Sequence, residues 1–147
     1  SSENGRDAFV AKLDANGNFL WAKQIETTSH ANDSTSVATH SDGSSIVTGW
    51  FRGTTTFGDT TLTSSDRNDG TSDGFVAKLD SNGNYLWVKQ IKSTDGNNQQ
   101  YDEVTGIDIL SDGSSIITGT FGKGTISFGG TTFSICGDRL YNKTFEE

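Results

Sequence analysis

Two turns in this chain place oxygen ligands at a spacing that suits a hard cation. Asp14-Ala15-Asn16-Gly17-Asn18 and Asp80-Ser81-Asn82-Gly83-Asn84 each offer a carboxylate and two amides at alternate positions. A calcium loop, however, needs glycine at its sixth position and a bidentate acid at its twelfth. Here glycine is fourth, and the twelfth residues are Ile25 and Ile91. Turn chemistry is the stronger reading, because Asn-Gly tolerates the positive φ angles of a tight hairpin. No metal site and no cofactor are predicted. The loops Asp66–Asp73 and Asp95–Glu103 also gather carboxylates and amides, and are expected to be solvated acidic loops.

Nucleophiles and bases do not assemble into a recognisable set. His30 and His40 lack Cys or His partners at metal-ligand spacing, and no Gly-x-Ser-x-Gly elbow is present. Cys136 has only Arg139 as a nearby cation and reads as a structural thiol. Gly122-Lys123-Gly124 lacks the strand-to-helix setting of a phosphate loop. Aromatic residues offer more. Trp50 and Tyr101 are the candidate ligand-binding residues, as stacking platforms for a sugar or a partner, with local packing as the competing reading. Trp21, Trp87, Phe57 and Phe128 are expected to be structural.

These residues sit on a repeated framework. Asp7–Ile25 reads DAFVAKLDANGNFLWAKQI and Asp73–Ile91 reads DGFVAKLDSNGNYLWVKQI, 15 of 19 positions being identical at an offset of 66. Each predicts a β-hairpin around its Asn-Gly turn. SDGSSIVTG at Ser41–Gly49 returns as SDGSSIITG at Ser111–Gly119, offset by 70, and predicts a second hairpin. The four-residue gain falls in the Lys92–Asp102 connection, which is expected at the surface. GTTTFGDTTLTSS at Gly53–Ser65 returns as GTISFGGTTFSIC at Gly124–Cys136, an excursion with a Phe anchor tucked under the sheet. Asp138–Phe145 aligns loosely with Asp73–Asp80 as a degenerate third copy of the first hairpin strand. Trp50 has Thr120 as its counterpart, so the repeat itself does not require an aromatic there. Helical spacing of apolar residues is absent, and the prediction is all-β.

Composition agrees with that class. Of 147 residues, 31% are hydrophobic, 18 are Gly and none is Pro, as expected of short strands joined by tight turns. A net charge of −8 argues against nucleic acid and anionic membrane partners, which attract basic surfaces. One cysteine excludes an internal disulfide framework. Apolar runs fall short of the ~20 residues of a membrane-spanning helix, so no membrane insertion is expected. With no Met anywhere, including residue 1, the chain is expected to be processed or cut from something longer.

The repeats predict one β-repeat domain over 1–147, with copies at about 7–72 and 73–147. The SDGSS hairpin, the Phe-Gly excursion and the next Asn-Gly hairpin make one antiparallel four-stranded unit over about 34–91. An orphan Asn-Gly hairpin is left at one end and an orphan SDGSS hairpin at the other. DAFVAKLDANGNFLWAKQI, SDGSSIVTG and TTTFG together resemble the bacterial β-propeller repeat family, often called the SBBP repeat, over Asp7 to about Gly129. The resemblance implies four-stranded antiparallel blades, about two per chain, in a secreted or cell-surface protein. It brings no catalytic set. Propellers close with roughly 4–8 blades, so two must belong to a longer chain, close by homo-oligomerisation, or propagate as an open fibre. The expected role is therefore non-enzymatic binding or self-assembly, with neighbouring blades, other copies, or a glycan or protein partner. A lectin-like propeller is the alternative, and a propeller-scaffold hydrolase or lyase comes third.

Overall fold

The Asn-Gly turns form because the turn acid is satisfied within the turn. Asp80 Oδ1 accepts from the backbone N–H groups of Asn82 and Asn84, and its Oδ2 accepts from the Asn84 amide. Asp14 makes the same three bonds with Asn16 and Asn18. Gly17 and Gly83 hold φ of 85° and 82°, which an L side chain rarely adopts. In the SDGSS turns, Asp42 and Asp112 accept instead from the N–H and hydroxyl of Ser44 and Ser114.

The computed structural model describes residues 6–27, 31–64, 71–94, 101–122, 124–128 and 130–135. Among them every regular element is a β-strand. β1 (Ala8–Leu13) and β2 (Phe19–Thr27) flank the first Asn-Gly turn, and β3 (Asn32–Thr39) and β4 (Ser45–Phe51) flank the first SDGSS turn. β5 (Thr54–Phe57) and β6 (Thr60–Thr63) form the Phe-Gly hairpin. β7 (Asp73–Leu79) and β8 (Tyr85–Ile91) flank the second Asn-Gly turn, followed by the short β9 (Ser93–Thr94). β10 (Glu103–Ile109) and β11 (Ser115–Thr120) flank the second SDGSS turn, and β12 (Gly124–Phe128) and β13 (Thr131–Ile135) close the order.

Paired strands are antiparallel throughout, in sheets ordered β1-β2-β5-β6, β3-β4-β7-β8, β10-β11 and β13-β12-β9. The β3-β4-β7-β8 sheet draws its four strands from Asn32 to Ile91. Two details differ from expectation. The Phe-Gly excursion does not join the sheet that encloses it in sequence. It crosses back to the preceding hairpin, where Thr55 and Thr56 pair with Thr27 and Glu26. Thr55 is buried there, and so is Thr27, whose hydroxyl donates to the carbonyls of Arg52 and Thr54. The N-terminal Asn-Gly hairpin is consequently no orphan, since this crossover completes it to four strands. β12 repeats the crossover by pairing with β9.

The sheets stack face to face. Between the first and second lies the larger core, with Ala8, Val10 and Ile25 facing Val47, Phe51, Phe75, Ala77 and Leu79, and Phe57 among them. Ile46 and Val76, on the other face of the second sheet, meet Val104, with Ile107 and Ile117 packed alongside. A bulge recurs at matched positions in β3 and β10, between Ser34 and Ser36 and between Val104 and Gly106. It frees the Thr35 hydroxyl to bond the Val104 carbonyl of the next sheet.

Candidate functional site

The two residues singled out for ligand binding lie together. Trp50 near the end of β4 and Tyr101 ahead of β10 both stack on Arg52, whose guanidinium carbon is 5.4 Å from each ring centroid. Strand geometry explains half of this, because Trp50 and Arg52 are two apart and point to the same side. A parallel bridge between Ser72 and Tyr101 supplies the other half by fixing Tyr101 at the sheet end. Arg52 Nε is enclosed and has no hydrogen-bond partner among the described residues. The outward side of Tyr101 remains open, the residue being 51% exposed. Chemically this is a cation held between two π faces, worth about 0.5–2 kcal/mol. It presents an aromatic surface and has no acid, base or nucleophile of its own. Arg52 was the participant that sequence reasoning missed. Its counterpart Gly122 shows that it varies together with Trp50.

The structural aromatics divide by copy. Phe57 is fully buried, with the Phe75 ring 4.9 Å and the Tyr85 ring 5.9 Å away. Its counterpart Phe128 is 41% exposed. Trp21 lies against Gly83, where a Cβ would stand 2.7 Å from the indole, and its Nε1 donates to the Ser81 carbonyl. Trp87, the equivalent residue, is exposed and meets nothing comparable. Among the described residues, Trp87 and Phe128 thus lack the partners that Trp21 and Phe57 have. The physical reason is positional: the partners of Trp21 and Phe57 come from the second Asn-Gly hairpin, and the described residues contain no third one.

Elsewhere the candidate ligands are engaged in turns. Hydrogen bonds from Asn18 to Asp14, from Asn84 to Asp80, and from Ser44 and Ser114 to Asp42 and Asp112 hold these carboxyls below the usual carboxylate range. Among the described residues, no three His, Cys, Asp or Glu side chains converge as a metal site would require. Two buried polar residues also escaped sequence reasoning. Asn32 Oδ1 accepts from the Ala8 N–H and its amide donates to the Ile25 carbonyl, tying β3 to the first sheet. Asp102, its counterpart, accepts from the N–H and hydroxyl of Ser93 and from the Gly122 N–H. His30, Cys136 and Asp138–Phe145 lie outside the described residues, as do most of the Asp66–Asp73 and Asp95–Glu103 loops. No helix in the described residues is long and apolar enough to cross a membrane.

Two of the open sheet edges run beside apolar grooves. Among the described residues β1 pairs only with β2, and β11 only with β10. Beside β1 runs a groove of about 480 Å³ lined by Phe9, Val10, Leu13, Ser34 and Val37. Beside β11 runs another of about 290 Å³, lined by Val104, Ile117, Gly119, Phe121, Phe128 and Phe133. Protein-family models and curated proteins give no match to this chain.

Proposed function

We propose that this chain is a non-enzymatic β-repeat module, of the bacterial β-propeller repeat type, that acts by assembly at an extracellular or cell-surface location. One observation carries the reading. The second sheet is covered on both faces, whereas the outer face of the first sheet and the edge of the β10-β11 hairpin leave the same repeat positions uncovered. Phe9 is 72% exposed and its counterpart Phe75 is fully buried; Ile116 is 54% exposed and Ile46 is 2% exposed. Large apolar surface left open at matched positions marks an interaction surface, and open strand edges invite pairing. The unit that satisfies both is another four-stranded blade. Light scattering across a concentration series tests this: masses in multiples of 15.7 kDa are expected, and a monomer at every concentration overturns it.

A second reading is favoured by the Trp50–Arg52–Tyr101 stack, which offers an aromatic face to a glycan ring. One face of Trp50 is already taken by the guanidinium, so Tyr101 is the more open platform. A glycan array with wild-type protein and with Tyr101→Ala and Trp50→Ala decides. Binding lost in both variants supports a lectin role, and no binding by any oligomeric form removes it.

A further inference from the structure

Resting on the assembly reading, we infer that strand β1 of a second copy adds to the free edge of β11, in a register dictated by the chain's own β4–β7 ladder. That ladder pairs Ser45 with Leu79, Val47 with Ala77, Thr48 with Val76 and Gly49 with Phe75. Carried over by the repeat offsets, it pairs Ser115 with Leu13, Ile117 with Ala11, Thr118 with Val10 and Gly119 with Phe9 of the neighbour. The strands are suited to it. AFVAKL of β1 differs from the matching GFVAKL of β7 at one position, and SIITG of β11 differs from SIVTG of β4 at one.

The contacts by which β7, β8 and the turn between them grip the first sheet have unmade counterparts. Phe75 packs its ring over Gly49, where a Cβ would stand 2.8 Å away, and against Phe57. Gly119 and Phe128 wall the groove beside β11 and await the neighbour's Phe9. Tyr85 meets Phe57 edge-on, and the exposed Phe19 is its equivalent. Trp21 covers Gly83; Trp87 would cover the neighbour's Gly17, beside which nothing now lies within 4 Å. Lys12 and Trp21 both donate to the Ser81 carbonyl, and Lys78 and Trp87 would donate to the neighbour's Ala15. In return, Ile116 enters the groove beside β1, where Val10 and Ser34 stand for the Val76 and Val104 that enclose Ile46.

The occupant is a second copy rather than the chain's own Asp138–Phe145. That segment shares only Asp138 and Lys143 with the eight residues of Asp73–Asp80, whereas β1 is nearly identical to β7. The contact is head to tail, with different surfaces on the two sides, so it generates a ring when the rotation closes and a filament when it does not.

The test is disulfide trapping between separately made full-length chains in a Cys136→Ser background. Ile117→Cys is mixed with Ala11→Cys, and Thr118→Cys with Val10→Cys. Adjacent antiparallel pairs alternate in geometry, so one of the two suits a disulfide. Val47→Cys/Ala77→Cys and Thr48→Cys/Val76→Cys within one chain show which one. Off-register controls mix Ile117→Cys with Leu13→Cys and Thr118→Cys with Lys12→Cys. The expected result is an in-register heterodisulfide, identified by mass, at least about tenfold above the controls. Equal or higher yield off register overturns the register while multimers by light scattering leave assembly standing. Absence of heterodisulfide with a monomeric wild type overturns both, and is the outcome if Asp138–Phe145 covers the β11 edge.

Discussion

Phe57 and Phe75 hold their ring centroids 4.9 Å apart although they belong to different sheets. The contact exists because the β5-β6 hairpin crosses back to β2, carrying Phe57 over the face that β7 presents. It makes the first two sheets one packing unit, and its absence at Phe128 leaves the second unit open.

That asymmetry predicts unequal costs for the same substitution. Phe57→Ala removes a fully buried ring and should cost about 3–5 kcal/mol. Phe128→Ala should cost about 1 kcal/mol in dilute solution, where its ring is already partly wet. Urea unfolding at low protein concentration measures both. At high concentration Phe128→Ala should lower the average mass, because it removes the wall on which a neighbour's Phe9 rests.

Tyr85 predicts a stabilising change. Its hydroxyl is buried with no hydrogen-bond partner among the described residues, and burial pushes its pKa up to about 12. Phe19 occupies the equivalent position in the first copy, so the repeat itself does not require the hydroxyl. Tyr85→Phe should gain about 1 kcal/mol by removing an unsatisfied group. The wild type should also lose stability as pH rises from 10 towards 12, because the unfolded phenol ionises first and the folded one resists. Urea midpoints at pH 8 and at about pH 11 should converge more closely in Tyr85→Phe than in wild type.

The four turn aspartates predict the acid side. Asp14, Asp42, Asp80 and Asp112 all lie below their ordinary 3.8, through hydrogen bonds that favour the carboxylate. A depressed folded pKa means the unfolded state binds the proton first as pH falls. Stability from these turns is therefore whole above about pH 5 and declines below 3.8. Asp80→Ala should flatten that decline, measured as the urea midpoint between about pH 5 and pH 2.

Electrostatics between copies gives an ionic-strength signature. Each chain carries a net charge of −8, so approaching copies repel. Raising salt from about 0.01 to about 0.15 M shortens the screening length from about 30 to about 8 Å. The average mass by light scattering should rise with salt, the opposite of an interface built on ion pairs.

Much of this was legible in the sequence, for a local reason. Hairpins whose turn acid, Asn-Gly pair and alternating apolar residues lie within twenty positions announce themselves, and the duplicated copies announce the stacking. The destination of Thr54–Phe57 was not legible. Its strand is four residues of mostly Thr, with no periodicity to name a partner, and only the buried Thr27–Thr55 pairing reveals the crossover. The Arg52 stack was equally hidden, since Arg52 and Tyr101 meet only after two hairpins fold between them. The exposure of Trp87 and Phe128 was equally hidden, because identical repeats imply identical surroundings, and surroundings depend on which neighbour follows.

Hydrogen exchange across a protein-concentration series, read by mass spectrometry on Ala8–Leu13 and Ser115–Thr120, tests the edge-to-edge assembly most directly. Both segments should gain protection together as concentration rises, approaching that of Ser45–Phe51 and Asp73–Leu79. Exchange that stays fast in either segment at every concentration would contradict it.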